Sequence, residues 1–346
     1  MSRTKPTVFA ILAAALYAVS IPLSKQLLAF APPTMMAAFL YLGAGIGIFL
    51  LGAVQKLSGK KSERKPLTKK ELPFTLAMIL LDIAAPILLM FGIKVSFAAN
   101  VSLINNFEIV ATSLIALFVF KEVISKRLWI AIGLVTLASV ILTFESVGAF
   151  NFNIGSLFVF GSCLCWGIEN NCTRVLSTKS ALEIVTIKGI FSGLGSLIVA
   201  LLLQESFPSL IYVAFGLILG FFSYGLSILF YILAQKDLGA AKTSAYYSIA
   251  PFLGAGFGLL LGERPAVQFY IALAIMVVSA VLMVKDTISL QHTHLHNHTH
   301  IHEHFHDGVS HTHEHTHSHE HTHIHGENCE GHSHNHSDMD DHNHTH

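Results

Sequence analysis

The chain contains long apolar stretches separated by short polar loops, and this pattern limits it to one broad class of fold. A helix needs roughly 20 consecutive, mostly apolar residues to cross a bilayer, and the region before Lys285 offers about ten such stretches. A soluble core does not explain them, because the whole chain is 53% hydrophobic and only 12% charged, with the apolar residues concentrated before Lys285. The sequence therefore predicts an all-α polytopic membrane protein.

We predict ten spans, with ends uncertain by a few residues. They run near 7–28, 33–54, 72–93, 98–120, 127–145, 155–175, 181–203, 210–234, 241–262 and 267–285. Arg3 and Lys5 before the first span superficially resemble the start of a secretory signal peptide, but that span is long enough to cross a bilayer and remain as a permanent helix. Glycines and prolines inside the spans are typical of membrane bundles, where small residues allow close helix contacts and breaks are tolerated.

Lys and Arg residues concentrate in alternate loops, and cytoplasmic loops hold such an excess. One side collects 17 of the 21 Lys and Arg residues, including the run from Lys56 to Lys70, and leaves only Lys25, Lys94, Lys188 and Arg264. This distribution predicts a multi-pass protein of the cell (inner) membrane with both termini cytoplasmic.

Internal similarity divides the apolar region into two units of five spans. Leu16-Tyr17-Ala18 aligns with Cys165-Trp166-Gly167, and Phe120-Lys121-Glu122 aligns with Leu261-Gly262-Glu263. Because five is odd, the second unit enters the membrane from the opposite side, and inverted repeats of this kind are the architecture of secondary transporters. We predict a first repeat at 1–146, a second at 147–286 and a tail at 287–346.

These repeated features resemble the drug/metabolite transporter superfamily, specifically its EamA-type members. The resemblance rests on an aromatic followed by a small residue in spans 1 and 6, a Glu closing spans 4 and 9, and Gly- or Ala-rich spans 5 and 10. It implies an inverted-repeat carrier that moves small polar metabolites, amino acids or organic cations, usually outward, by alternating access. The chain departs from the usual pattern at Tyr17, where Trp is common, and where Asn105-Asn106-Phe107-Glu108 in span 4 corresponds to Pro251 in span 9.

Four charged residues lie at bilayer depth, away from the ends of the predicted spans: Asp82, Glu108, Glu169 and Lys188. A charge at bilayer depth costs roughly 2.5 to 3.5 kcal/mol on insertion scales, so each needs a reason. Asp82 aligns with Tyr224 of the second repeat and is interpreted as a protonatable coupling group or substrate contact, or else as a carboxyl that a neighbouring helix satisfies. Lys188 could snorkel, meet an anionic substrate or pair with a carboxylate, and we expect pairing.

Two polar clusters surround these charges. Asn105 and Glu108 share a helix face next to Asn106 and could bind an ammonium group or carry a proton, although the asparagines could also make ordinary interhelical hydrogen bonds. Trp166 and Asn170 share a face near Glu169 and could contact a substrate, or could belong to the membrane interface.

Several aromatic and acidic residues have weaker assignments. Tyr17 and Tyr224 are candidate pore-lining residues, with Tyr231, Tyr246 and Tyr247 beside them, and for each one packing is the alternative. Glu122 and Glu263 end their helices and are interpreted as architectural.

The tail holds all 22 histidines of the chain, most of them alternating with other residues. Imidazole binds zinc, nickel and cobalt, and no single ligand spacing indicates a fixed tetrahedral site. We therefore predict a disordered, multisite metal-binding tail and no required cofactor. The candidate ligands are His292, His294, His296, His298, His300, His302, His304, His306, His311, His313, His315, His317, His319, His321, His323 and His325.

Two functions remain in competition. In one, the body exports a small polar metabolite, an amino acid or an organic cation, and the tail buffers metal or regulates transport. In the other, the body is a divalent-metal efflux carrier that the tail supplies, although no histidine lies in any predicted span. No catalytic constellation indicates an enzyme, and the formal net charge of zero argues against a nucleic-acid partner. The expected partners are the bilayer, a small molecule and transition-metal ions; the sequence fixes neither the substrate nor the oligomeric state.

Overall fold

The structure is a computed structural model that describes residues 4–58, 67–120, 125–146, 149–176, 179–238, 243, 246–306 and 309–324. The chain divides into two compact units, Met1–Thr287 and Ile288–His346.

The first unit is a helical bundle. Its helices are α1 (Thr4–Ala18), α2 (Ser20–Leu27), α3 (Pro33–Leu57), α4 (Leu72–Val95), α5 (Ala98–Ile104), α6 (Phe107–Phe120), α7 (Lys126–Thr143), α8 (Ile154–Leu176), α9 (Ala181–Leu202), α10 (Leu210–Gly220), α11 (Ser227–Leu238), α12 (Ala250–Leu260) and α13 (Val267–Leu290). A 3₁₀ turn, Lys69–Glu71, precedes α4, and a π-helical turn, Phe221–Leu226, joins α10 to α11.

Eight stretches of the described chain are long and apolar enough to cross a membrane. They are Lys5–Leu27, Pro33–Leu57, Lys69–Val95, Ala98–Val119, Lys126–Thr143, Ala181–Leu202, Leu210–Ala234 and Val267–Lys285. The prediction of a polytopic helical membrane protein is thereby confirmed. The other two predicted spans correspond to α8, whose polar run Glu169-Asn170-Asn171 lowers its mean hydropathy, and to the shorter α12. The count of ten and the inverted repeat stay predictions.

Spans 1, 4 and 8 are interrupted inside the bundle. Span 1 breaks at Val19, three residues before Pro22, where proline cannot donate a backbone hydrogen bond. The fourth span breaks between α5 and α6, at Asn105 and Asn106. The π turn interrupts the eighth span around Tyr224. Such breaks are tolerated at membrane depth where neighbouring protein satisfies the backbone, and π turns are frequent at functional sites.

Helix α3 lies at the centre of the bundle and packs against α9, α10 and α4. Its contact with α9 depends on glycine, because a Cβ atom added to Gly45 would collide with the backbone of Gly189 and Ile190. The same is true in reverse for Gly189 against Gly45. The prediction that glycines in this span allow close helix approach is confirmed at this contact.

Helices from the two halves of the sequence interleave. Close contacts join α3 to α9, α4 to α8, α6 to α8, α1 to α11 and α5 to α12. Every one of these pairs combines a helix from before residue 146 with one from after it. The interior of the bundle is therefore formed jointly by both predicted repeats.

Short strands occur outside the helices. Phe144–Ser146 and Ala149–Phe152 form an antiparallel pair between α7 and α8, which the sequence did not predict. In the second unit, Gln291–His306 pairs antiparallel with Val309–Ile324, so that His292 lies opposite His323. The alternation of histidine with other residues has the two-residue period of a β-strand. The disordered tail stays a prediction. His325 lies outside the described residues.

Candidate functional site

A buried ion cluster lies where α4, α8 and α9 meet. The Nζ atom of Lys188 lies 3.1 Å from Oδ2 of Asp82 and 3.0 Å from Oε1 of Glu169. Asp82 is 0% exposed and Glu169 1% exposed. Lys188 thus pairs with two carboxylates from two helices, which confirms the expected pairing and places Glu169 in the interior instead of at the membrane interface. We call these three residues the ion triad.

Two aromatic side chains hold the free oxygen of Asp82. The hydroxyl of Tyr41 donates to Oδ1 at 2.9 Å, and the indole Nε1 of Trp166 lies 3.2 Å from the same oxygen. The indole also lies 3.3 Å from the Tyr41 hydroxyl. Hydrogen bonds to a charged acceptor are stronger than neutral ones, so Tyr41 and Trp166 fix the orientation of this carboxylate. Sequence reasoning missed Tyr41, whose only signal was a phenol within an otherwise apolar span.

Glu108 lies outside the ion triad. Its Oε1 accepts a 2.7 Å hydrogen bond from Nδ2 of Asn170, and the same amide group lies 3.3 Å from the hydroxyl of Thr112. Among the described residues, no Lys or Arg nitrogen lies within 4.0 Å of this carboxylate. Because α6 and α8 come from different halves, this contact also crosses the boundary between the predicted repeats. Asn170 therefore contacts Glu108, a pairing that the sequence analysis did not predict.

Tyrosine side chains extend from the ion triad towards α1 and α12. The Tyr41 and Tyr224 ring centroids are 5.4 Å apart, and the Tyr17 ring lies 5.9 Å from Tyr224 and 6.0 Å from Tyr247. The Nδ2 atom of Asn105 lies 3.2 Å from the Tyr17 hydroxyl. We call Tyr17, Tyr41, Tyr224 and Tyr247 the tyrosine cluster. Tyr41 contacts both Asp82 and Tyr224.

Some of the predicted residues lie elsewhere. The amide of Asn106 faces Met276, 3.7 Å from its Sδ atom, and so points away from Asn105. The Tyr231 ring meets the Tyr247 ring edge to face, with centroids 5.2 Å apart, and Tyr246 is exposed. Glu122 lies outside the described residues.

Little open space remains beside this site. A cavity of about 10 Å³ is lined by Tyr17, Ser102, Asn105, Pro251 and Gly254 among others. A single water needs about 10 to 15 Å³ by the same measure. Binding of any larger molecule therefore requires the helices around Tyr17 to separate.

Charged side chains cap helix ends at one end of the bundle, which we call the Glu263 end. The Glu263 carboxylate accepts hydrogen bonds from the backbone N–H groups of Ala98 and Ala99, both at 2.8 Å, at the start of α5. Glu205 accepts from the N–H groups of Thr34 and Met35 at the start of α3, at 3.2 and 2.9 Å. Both carboxylates follow residue 146 and both capped helices precede it. Glu263 is therefore architectural, as expected, and Glu205 was missed.

At the opposite end, a second set of contacts joins the loop before α4 to the loop before α9. Nζ of Lys179 lies 3.3 Å from Oε1 of Glu71, and the Glu183 carboxylate accepts from the N–H of Leu67 at 3.1 Å. We call this the Glu71 end. The bundle is thus tied across its halves at both ends.

The described residues contain no group of three or more His, Cys, Asp or Glu side chains that could hold a metal ion. The two carboxylates of the ion triad share Lys188 as their counter-charge, and an ammonium group occupies the position that a cation would take. The ion triad as described does not resemble a metal centre.

Comparison with known proteins gives consistent results. The model of the EamA-like transporter family matches residues 4–144 and again 153–285. An uncharacterized transporter of Methanothermobacter thermautotrophicus is 26% identical over 268 residues, which cover 72% of this chain and 77% of that protein. The uncharacterized transporter YyaM of Bacillus subtilis is 22% identical, with 75% of this chain and 86% of that protein covered.

A solved crystal structure shares the fold, with a TM-score of 0.62 at 17% identity over 84% of this chain and 99% of its own. Because the family model covers most of the residues before the histidine-rich tail, and covers them in two consecutive matches, the chain belongs to the EamA-like transporter family.

Proposed function

We propose that this protein is a secondary transporter that exports a small polar metabolite, an amino acid or an organic cation by alternating access. The observation that carries the proposal is the ion triad, in which Asp82 comes from the first half of the chain and Glu169 and Lys188 from the second. Charges inside a membrane bundle are costly and commonly mark substrate or ion pathways. Secondary transporters place such sites where two repeats meet.

Alternating access is supported by the contacts at the two ends. An opening at the Glu263 end has to release the carboxylate caps on α3 and α5, and an opening at the Glu71 end has to release Lys179 and Glu183. Each set joins one half of the chain to the other. A rigid movement of one half against the other would break one set and keep the second.

The orientation of the protein follows from its Lys and Arg residues. We propose that the Glu71 end and both termini face the cytoplasm, since the loops at that end carry most of the positive charge. In that orientation, the histidine-rich tail lies in the cytosol. We propose that it binds zinc, nickel or cobalt there as a buffer or regulator, because alternating imidazoles supply many ligands without one fixed site.

The transport proposal is tested with purified protein in proteoliposomes, by uptake of a panel of amino acids, polar metabolites, organic cations and divalent metals. We expect uptake of at least one organic solute, and loss of that uptake in Asp82→Asn. The matched control is Glu314→Gln, which removes a carboxylate from the histidine-rich tail and leaves the ion triad intact. Uptake of none of the organic solutes would contradict the proposal.

Metal efflux supplied by the tail is the competing hypothesis, and a truncation distinguishes the two. Removing residues 287–346 should abolish zinc, nickel and cobalt binding by the protein while organic-solute uptake at low metal continues. Uptake of a divalent metal that disappears with the tail, with no uptake of organic solutes, would favour metal efflux instead.

A further inference from the structure

We infer that the solute moved by this protein carries an organic cationic group, and that Glu108 is its counter-ion with Tyr17, Tyr224 and Tyr247 as the aromatic wall of the site. The inference rests on the proposed function, because it names the substrate class for the same interior. It rests on a difference between the four charged side chains of the interior. Asp82, Glu169 and Lys188 form ion pairs with one another, whereas Glu108 has no ion-pair partner among the described residues.

The ion triad leaves no cation free for an anionic solute. Lys188 contacts Asp82 and Glu169 at 3.1 and 3.0 Å, and its side chain is only 11% exposed. Lys25 lies at the Glu263 end, outside the interior, where its Nζ donates to the carbonyl groups of Ile93 and Lys94 at 2.8 and 3.0 Å. An anion would therefore have to displace a carboxylate from Lys188, which is unfavourable when both groups are buried.

Glu108 is the group that lacks a compensating charge. Its described partner is a neutral amide, Nδ2 of Asn170, which binds one of the two carboxylate oxygens. Counting side chains, the interior holds three carboxyl groups (Asp82, Glu108 and Glu169) against one amine (Lys188). A desolvated carboxylate without a positive partner is unfavourable. A positively charged solute would compensate the charge of Glu108, whereas a neutral solute would leave it uncompensated.

The tyrosines near Glu108 favour the same charge. The Tyr17 ring lies 5.9 Å from Tyr224 and 6.0 Å from Tyr247, and its hydroxyl accepts a hydrogen bond from Asn105, three residues before Glu108. The face of an aromatic ring attracts a cation within about 6 Å of its centroid, and the attraction grows when both are shielded from water. A quaternary or protonated nitrogen held between Glu108 and these rings would meet both forms of attraction at once.

Asn105 connects the carboxylate to the aromatic wall. It precedes Glu108 by three residues, at the break between α5 and α6, and donates to the Tyr17 hydroxyl. That hydrogen bond orients the Tyr17 ring beside the small cavity that also contains Asn105 and Gly254. The helix break at Asn105 and the Tyr17 ring therefore meet at this cavity, and its enlargement would expose both together.

The inference is tested with two probes of matched shape and opposite charge, phenyltrimethylammonium and benzenesulfonate. Binding and uptake of each are measured with full-length wild-type protein in proteoliposomes. We expect the wild type to prefer the ammonium probe by about tenfold or more. Glu108→Gln should lower uptake of that probe by about tenfold or more, whereas Glu314→Gln, which removes a carboxylate from the histidine-rich tail, should not.

The tyrosine wall is tested by a pair of variants at one position. Tyr17→Leu should weaken ammonium binding by roughly three- to tenfold, and Tyr17→Phe, which keeps the ring, should retain most of it. This pair also decides the matter if Glu108→Gln fails to elute as a monodisperse protein. Equal loss in Tyr17→Leu and Tyr17→Phe, or no loss in either, would overturn the assignment of the wall.

Failure of this inference is distinguishable from failure of the proposed function. A protein that moves amino acids or neutral metabolites but prefers benzenesulfonate, or that handles the ammonium probe equally well with Glu108→Gln, overturns the cation assignment and leaves organic-solute transport in place. A protein that moves no organic solute overturns both.

Discussion

Replacement of Lys188 by methionine tests whether the ion triad is held together by its charges. The substitution keeps an unbranched side chain of similar length and removes the ammonium group that lies 3.1 Å from Asp82 and 3.0 Å from Glu169. Breaking a buried ion pair by removing one partner typically costs about 3 to 5 kcal/mol, because the remaining charge is left uncompensated. Here two carboxylates are left together, so we expect a loss in that range.

The measurement is thermal unfolding of purified protein in detergent, followed by tryptophan fluorescence, since Trp166 contacts Asp82 and is buried. A loss of this size should lower the Tm on the order of 10 °C. The control is the triple variant Asp82→Asn, Glu169→Gln, Lys188→Met, which removes all three charges. Replacing a whole buried ion cluster by neutral groups is often nearly neutral for stability, so the triple variant should recover most of the loss.

Two outcomes would refute this reasoning. A Lys188→Met protein within about 0.5 kcal/mol of the wild type would mean that the carboxylates do not need the ammonium group. A triple variant no more stable than Lys188→Met would mean that the loss does not come from uncompensated charge on Asp82 and Glu169.

Three further predictions concern the contacts around the site. Gly45→Val should destabilise the protein by about 1 to 3 kcal/mol, since the new side chain meets the backbone of α9. Gly133→Ala should change the Tm little, because a Cβ atom at this position has nothing within 4 Å. Equal effects of the two substitutions on the Tm would contradict the packing described for α3. Glu263→Gln should speed hydrogen exchange at the Ala98 and Ala99 amides, because a charged cap becomes a neutral one. Glu71→Gln should leave exchange at those amides unchanged. Unaltered exchange in Glu263→Gln would contradict the capping role of Glu263. Tyr41→Phe should cost about 1 kcal/mol in thermal unfolding by removing the hydroxyl that donates to Asp82, and a Tm equal to that of the wild type would show that Trp166 alone suffices.

The helical membrane class and the pairing of Lys188 could be predicted because the alternative to each has a high free energy. An apolar stretch of about 20 residues has few soluble alternatives, and a lysine inside such a stretch needs a negative partner. The sequence could not say which carboxylate would serve, since that depends on how α4, α8 and α9 are rotated about their axes. Lys188 contacts both Asp82 and Glu169, an outcome that no single helix pattern contains.

Tyr41 and Glu205 could not be found for a related reason. A tyrosine in an apolar span packs or donates depending on its neighbours, and only the fold sets Tyr41 against Asp82. Glu205 lies in a loop, where a carboxylate is ordinary, and its role appears only when the start of α3 is placed beside it. The direction of the Asn106 side chain could not be predicted either, because the break in the helix turns it towards Met276.

The π turn at Phe221–Leu226 divides the eighth span into two segments whose side chains face in different directions. A π turn holds about one residue more than an α turn, and each residue advances an α-helix by 100°, so the residues after the turn are rotated relative to those before it. Gly216 and Gly220, before the turn, face Phe39 and Leu40 of α3, while Ser227, after it, donates to the carbonyl of Ala13 in α1 at 2.9 Å. Deleting one residue here would restore a regular helix and misdirect every side chain that follows, so this span tolerates exchange of residue types far better than any change in their number.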